Sequence, residues 1–251
     1  MNATYIRIDL IRQLRDFGNI TFVIAMPVVM YMIFGASFSM GDEMFGNGNI
    51  KFYTMVSMAS YGAALAATSV AGTAAIEQMQ GWGRQVGLTP VTNRSVVAMK
   101  VVVALIVTTF EITILFIAGL LTGAKADSPA IWISSFLIIL GGATLYALFG
   151  FAVAMHFKSE SALSVATGVL VLMAFLGNVF MPLTGTMLQM AHFTPLYGYV
   201  GLARWPQIEG ALAPPAEGFD EMWMLLANFV GWFIVFAAVA VVSVRNGRSR
   251  Q

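Results

Sequence analysis

Few residues in this chain could do chemistry. Among 251 residues there are two histidines, twelve Asp and Glu, and no cysteine. Without cysteine there is no thiol nucleophile, disulfide or thiolate metal site. His156 and His192 each border an apolar run. The charge pattern described below puts them on opposite sides of a membrane, where they cannot share a metal. Neither the Gly-x-Ser-x-Gly elbow of a hydrolase nor the His-Glu-x-x-His helix of a zinc protease occurs. Gly35-Ala36-Ser37 is a faint echo of a serine site, with no histidine to serve it. Gly-Lys never occurs as a dipeptide, so no Walker site can bind ATP. A bound cofactor or metal is not expected on this chain, and a net charge of +1 gives no reason to expect nucleic acid.

Glu111 is the one acid deep inside an apolar run. A lone ionisable group in hydrocarbon costs roughly 2.5–3.5 kcal/mol or more, so Glu111 must face protein or a watery cavity. It is either a substrate-path or coupling residue, or a structural glutamate held by a neighbouring Ser or Thr.

The elements that would position such residues are set by composition. The chain is 59% hydrophobic and 10% charged, with the apolar residues in long uninterrupted runs. One globular core does not need such runs, but transmembrane helices do. Six spans are expected, near 18–40, 53–76, 97–121, 130–155, 161–183 and 222–244. Each is long enough for a hydrocarbon core of about 30 Å. With both termini inside, the inner segments hold Arg7, Arg12, Arg15, Arg84, Arg94, Lys100, Lys158, Arg245, Arg248 and Arg250. The outer ones hold only Lys51, Lys125 and Arg204. This bias predicts a multi-pass protein of the cell membrane with both termini cytoplasmic.

Residues 1–17 read as an interfacial helix. Ile6, Leu10, Ile11, Leu14 and Phe17 cluster on one side, and most charged residues on the other. The first span carries Pro27 and Gly35, which predict a kink. In the second, Ser60, Ala64, Thr68 and Gly72 form a stripe of small residues that lets helices approach closely, most simply within one bundle. Residues 184–221 are too apolar for an exposed loop and too broken for a span. They read as short re-entrant helices on the outer mouth, with Tyr197, Tyr199 and Trp205 in the interface belt, followed by a flexible acidic loop over 206–221. The absence of a clear repeat between the two halves speaks against many secondary transporters.

Residues 77–100 form the longest polar interruption in the first two-thirds of the chain, and Arg84, Arg94 and Lys100 place it in the cytoplasm. The pattern Glu77, Gly81, Arg84, Leu88-Thr89-Pro90, Arg94 and Lys100 resembles the loop between spans two and three of type-2 ABC exporter permeases. In that family the loop carries a coupling helix that sits in a groove of the ATPase subunit. The family's usual Gly-Thr and Gly-Lys are replaced here by Gly81-Trp82 and Met99-Lys100. Pro182, Pro195 and Arg204 are similar in order and spacing to the family's re-entrant hairpin before the last span, although its usual Met-Pro-x-Trp is absent.

The resemblance implies an all-α membrane protein that is one permease domain over 1–251: interfacial helix 1–17, spans 18–183 with coupling loop 77–96, re-entrant segment 184–221, last span 222–244 and tail 245–251. It implies two ABC ATPase subunits carrying ATP and Mg, and a second permease chain as homodimer or heterodimer. The absence of a large extracellular domain looks most like the small drug-export permeases, moving a drug, antibiotic or lipid. On this reading Glu77, Gly81, Trp82, Arg84, Val86, Gly87, Leu88, Thr89 and Pro90 make the ATPase contact. Met26, Met30, Tyr31, Glu111, Phe175 and Asn178 line the substrate path, on spans the family uses for it. The rival readings are an ion-coupled carrier acting alone, with Glu111 as its proton site, and a non-transporting anchor or sensor subunit.

Overall fold

The computed structural model describes residues 3–16, 18, 21–77, 93–157 and 159–248. Helix α1 spans Ala3–Arg15. Helix α2, Met26–Tyr31, is flanked by π-helical turns at Thr21–Ala25 and Met32–Ala36. The long helices are α3 (Ile50–Glu77), α4 (Asn93–Thr122), α5 (Pro129–Phe157) and α9 (Met222–Arg248). Between α5 and α9 lie α6 (Glu160–Leu176), α7 (Gly185–Ala191) and α8 (Pro195–Ile208). No helix–strand mixture arises: among the described residues the only β features are isolated bridges.

Among the described residues four helices are long and apolar enough to cross a membrane: Ile50–Glu77, Ala98–Thr122, Pro129–Phe157 and Met222–Ser243. The apolar helices Thr21–Ala36 and Ser161–Leu176 are shorter than the spans expected at 18–40 and 161–183. In the first, Pro27 sits in the opening turn of α2 and has no N–H to continue an α-helical ladder, so the turn before it widens to π. In the other, Gly177 caps α6 and Asn178 takes a left-handed φ of 59°. Its Oδ1 then accepts from the Leu183 amide at 2.8 Å, turning the chain seven residues before the expected end.

The centre of the bundle is α3, which packs against α2, α4, α5, α6 and α8. It has no polar face, and 83% of its most apolar stretch is buried. A helix apolar all round belongs inside. The small-residue stripe faces neighbours within the chain. A Cβ on Gly150 of α5 would run into the backbone carbonyl of Thr68, and one on Gly72 into Leu163. Thr68 Oγ1 donates to the Tyr146 carbonyl at 3.1 Å, tying α3 to α5.

The segment before α9 departs from expectation. Tyr197 and Tyr199 are buried rather than set in an interface belt. Tyr199 donates to the Ile139 carbonyl at 2.8 Å, and its ring occupies the space that the missing side chain of Gly142 leaves. The 206–221 loop folds back on itself: Asp220 N donates to Gly210 O at 2.8 Å and Leu212 N to Gly218 O at 3.1 Å. Of its acids Asp220 alone is drawn partly inward, while Glu209, Glu217 and Glu221 stay exposed.

Candidate functional site

At one end of the bundle α8 carries Arg204, which is 4% exposed. Its Nε and Nη2 both donate to Ser57 Oγ of α3, at 2.9 and 2.6 Å. Nη2 also donates to the carbonyls of Asn178 at 3.0 Å and Val179 at 3.3 Å. Ser57 Oγ in turn donates to the Tyr53 carbonyl at 2.6 Å, and the guanidinium lies 4.1 Å from the centre of the Tyr53 ring. One arginine thus joins α3, α8 and the turn after α6. The nearby acid, Asp220, is taken by other groups: Tyr197 donates to its Oδ2 at 2.5 Å, and His192 Nε2 lies 3.0 Å from Oδ1. Burial, then the hydrogen bond to Asp220, pushes the Tyr197 hydroxyl well above its ordinary range, which keeps it a donor.

Beside Arg204 opens a cavity of about 490 Å³. Its walls are mainly apolar: Phe34 from the first apolar helix, Phe38 and Met44 from the following segment, Phe180 and Pro182 from the turn after α6, and Pro214 from the loop before α9. The size suits a small organic ligand, for which pockets of roughly 300–1,000 Å³ are usual. The loop at its edge is fixed by Asn49. The Asn49 amide donates to Gly123 O at 2.9 Å, and its Oδ1 accepts from the amides of Phe52 and Lys125 at 3.0 and 2.9 Å. Gln207 of α8 closes the same corner, donating to the carbonyls of Phe45 and Asn49 at 2.9 and 3.1 Å.

Below the cavity an aromatic chain leads into the bundle. Phe180 stands edge-on to Tyr61 at 5.1 Å and to Phe175 at 4.7 Å. The Tyr61 hydroxyl approaches Met26 Sδ at 3.8 Å. Tyr31 bonds Thr122 at 2.6 Å, and Met30 packs on the same core. Glu111 is 1% exposed, and neither carboxyl oxygen has a hydrogen-bond partner among the described residues. No neighbouring Ser or Thr holds it. It fits because position 62 is glycine: a Cβ there would collide with the Glu111 carboxyl and with Pro27.

At the other end a charged clamp joins three helices. Lys100 Nζ of α4 lies 2.8 Å from Glu77 Oε2 of α3 and 2.8 Å from Asp9 Oδ2 of α1. Arg12 of α1 bridges Asp9 at 2.9 Å and also pairs with Glu77. Two acids and two bases balance, and Asp9, Glu77 and Lys100 are each mostly withdrawn from solvent. Helix α1 therefore turns Asp9 and Gln13 inward and leaves Ile8 and Ile11 exposed. This differs from the expected division, in which Ile11 shared an apolar face with Ile6 and Leu10.

The structure brings together Asn178 and Arg204, and sets Pro182 on the wall of the cavity that Arg204 lines. Pro195 opens α8. Phe175 and Met26 belong to the aromatic chain, whereas Tyr31 and Glu111 sit apart from the cavity. Glu77 is engaged within the chain, while Gly81, Trp82, Arg84, Val86, Gly87, Leu88, Thr89 and Pro90 lie outside the described residues. Ser57, Phe180, Asn49 and Asp9 did not stand out in the sequence. Ser57 and Arg204 are 147 positions apart, and no local pattern links them.

The fold and these sites define a polytopic helical membrane protein with a ligand-sized cavity at one end and a polar clamp at the other. Residues 10–203 match the family described as ABC-2 family transporter protein, and the chain belongs to it. It is 24% identical over 163 residues to YvfS of Bacillus subtilis (strain 168), a candidate transport permease. That match spans 61% of this chain and 66% of YvfS, just under two thirds. Membership places the chain in a family of membrane transport proteins.

Proposed function

We propose that this chain is the permease subunit of an ATP-binding-cassette exporter. It moves a hydrophobic or amphipathic molecule out of the cell, using ATP hydrolysed by separate ATPase subunits, and works with a second permease chain. The observation that carries this reading is the reach of α3. Its 28 residues, about 42 Å at 1.5 Å rise per residue, run unbroken between the two sites. At one end Glu77 enters the clamp, next to the 78–92 segment that resembles a coupling loop. At the other end Tyr53 and Thr54 line the cavity and Ser57 holds Arg204.

A rod joining a clamp to a cavity suits transmission of ATP-driven closure. The ATPase pair would press on 77–96, with Trp82 as a buried anchor and Arg84 facing an acidic groove. Because Glu77 is paired within the chain, its role is to pass that push to α1 and α4. Helices α2, α3 and α6 would then shift around the aromatic chain. Transport is driven only if the two states differ in their affinity for the ATPase pair, and the clamp is where that difference enters the membrane. Co-purification with the cognate ATPase tests this. Polyalanine over 82–90 is expected to abolish both ATPase capture and ATP-dependent export while leaving the chain folded. Undiminished capture and transport would refute it.

A further inference from the structure

The cavity carries an unspent charge. A guanidinium has five N–H donors in a rigid fork. In Arg204 the Nε and Nη2 groups make four hydrogen bonds, all to neutral oxygens of Ser57, Asn178 and Val179. Nη1 has no hydrogen-bond partner among the described residues, and Arg204 forms no ion pair with a carboxylate. The surrounding partners hold the guanidinium in place without neutralising it. Asp220, in the small pocket on its other side, offsets part of the charge through space but bonds His192 and Tyr197 rather than the guanidinium, so Nη1 keeps no anion in direct contact. Among the described residues that line the cavity the one acid is Glu43, which stands at the exposed rim, forms no ion pair with Arg204 and would repel an incoming anion. A buried cation without a paired anion is costly, and an anion delivered to it in a water-poor site forms a strong charge-assisted bond. The other walls offer phenylalanine, methionine and proline, which suit an apolar tail of no fixed shape.

We propose that this cavity binds an amphipathic molecule with an anionic head. The Nη1 edge of Arg204 takes the carboxylate or phosphate oxygens, and the Phe34, Phe180 and Met44 walls take the tail. The proposal rests on the reading of the chain as a transport subunit and names the substrate class of that subunit.

The test uses the purified full chain in phosphatidylcholine nanodiscs, with a fluorescent dodecanoate as probe. Its methyl ester and the matching amine serve as comparisons. The carboxylate is expected to bind at least about tenfold tighter than either, a difference of roughly 1.4 kcal/mol. Arg204→Gln should remove that preference. Because Arg204 also ties three segments together, a second variant carries the test if the first does not fold. Glu43→Gln, at an exposed wall position, should tighten carboxylate binding by at least about threefold and leave the ester unchanged. Replacing part of the phosphatidylcholine with phosphatidylglycerol separates the sources of the head group. Displacement of the probe identifies an anionic lipid as occupant, and undisturbed binding identifies a solute. Equal binding of acid, ester and amine, or indifference of the carboxylate to Glu43→Gln, would overturn the proposal. Because no ATPase is present, such a failure leaves the permease assignment intact, and loss of ATPase capture leaves the binding result intact.

Discussion

Glu111 and Gly62 form a size-matched pair in the middle of the bundle. The carboxyl group occupies the volume that a side chain at 62 would need, with Pro27 closing the third side. Inserting a methyl group into a filled core costs typically 1–3 kcal/mol. Gly62→Ala is therefore expected to lower the thermal midpoint in detergent, and Glu111→Ala in the same chain should recover most of the loss. A double-mutant cycle should show a coupling of about 1 kcal/mol or more. Additive effects would mean that the two residues do not compete for space. The sequence marked Glu111 as exceptional because an acid in an apolar run is costly. It gave no sign of the glycine that accommodates it, since any of several glycines could have faced it.

Helices α3 and α5 approach one another closely, backbone to backbone, at Gly150. At Gly150 a new Cβ would meet the Thr68 carbonyl, which is backbone and cannot rotate away. Gly150→Ala must push the two helices apart, and a loss of about 1–3 kcal/mol is expected from overpacking alone. Gly141 of the same helix and Gly168 of α6 have nothing within 4 Å of the corresponding position. Alanine there should be neutral or stabilising, by up to about 1 kcal/mol from helix propensity. Thermal unfolding of the three variants side by side checks this, and equal behaviour would contradict the packing. The stripe Ser60, Ala64, Thr68 and Gly72 was legible because helical spacing fixes which residues share a face. Its partner was not, because helix pairing depends on all the other helices. The end of α6 falls short of the expected span for a local reason: hydropathy runs through Gly177-Asn178, while backbone geometry does not.

Across the whole molecule, the clamp and the cavity lie at opposite ends of α3, which touches both. Among the described residues, Lys100→Met leaves Asp9 and Glu77 together with Arg12 alone to offset them. Loss of a charge-assisted hydrogen bond costs about 1.5–3 kcal/mol, which the remaining packing can absorb. The variant is expected to capture the ATPase as wild type does, yet to lose substrate stimulation of ATP hydrolysis by about tenfold. Restoring the charge with Lys100→Arg should restore stimulation. If Lys100→Met hydrolyses ATP with normal stimulation, the clamp does not carry the coupling. The sequence placed Lys100 and Glu77 near one membrane face through the charge bias, but it offered no reason to bring Asp9 of α1 between them.

The sequence by itself determined the chemical class. Long apolar runs cannot be satisfied outside a membrane, and backbone groups in hydrocarbon must bond within their own segment, so the chain is helical and built for a bilayer. The residues matched to the ABC-2 family span most of the chain, so the resemblance read from a few motifs holds at the level of the family. What only the tertiary structure decided is which distant residues meet. Arg204 is a lone cation in the sequence. Its environment comes from Ser57, Asn178 and Tyr53, on two other segments, and its unspent Nη1 group exists only because those three supply neutral oxygens and a ring rather than a carboxylate. Composition sets how many charges a chain has, while packing sets which of them are left without a partner.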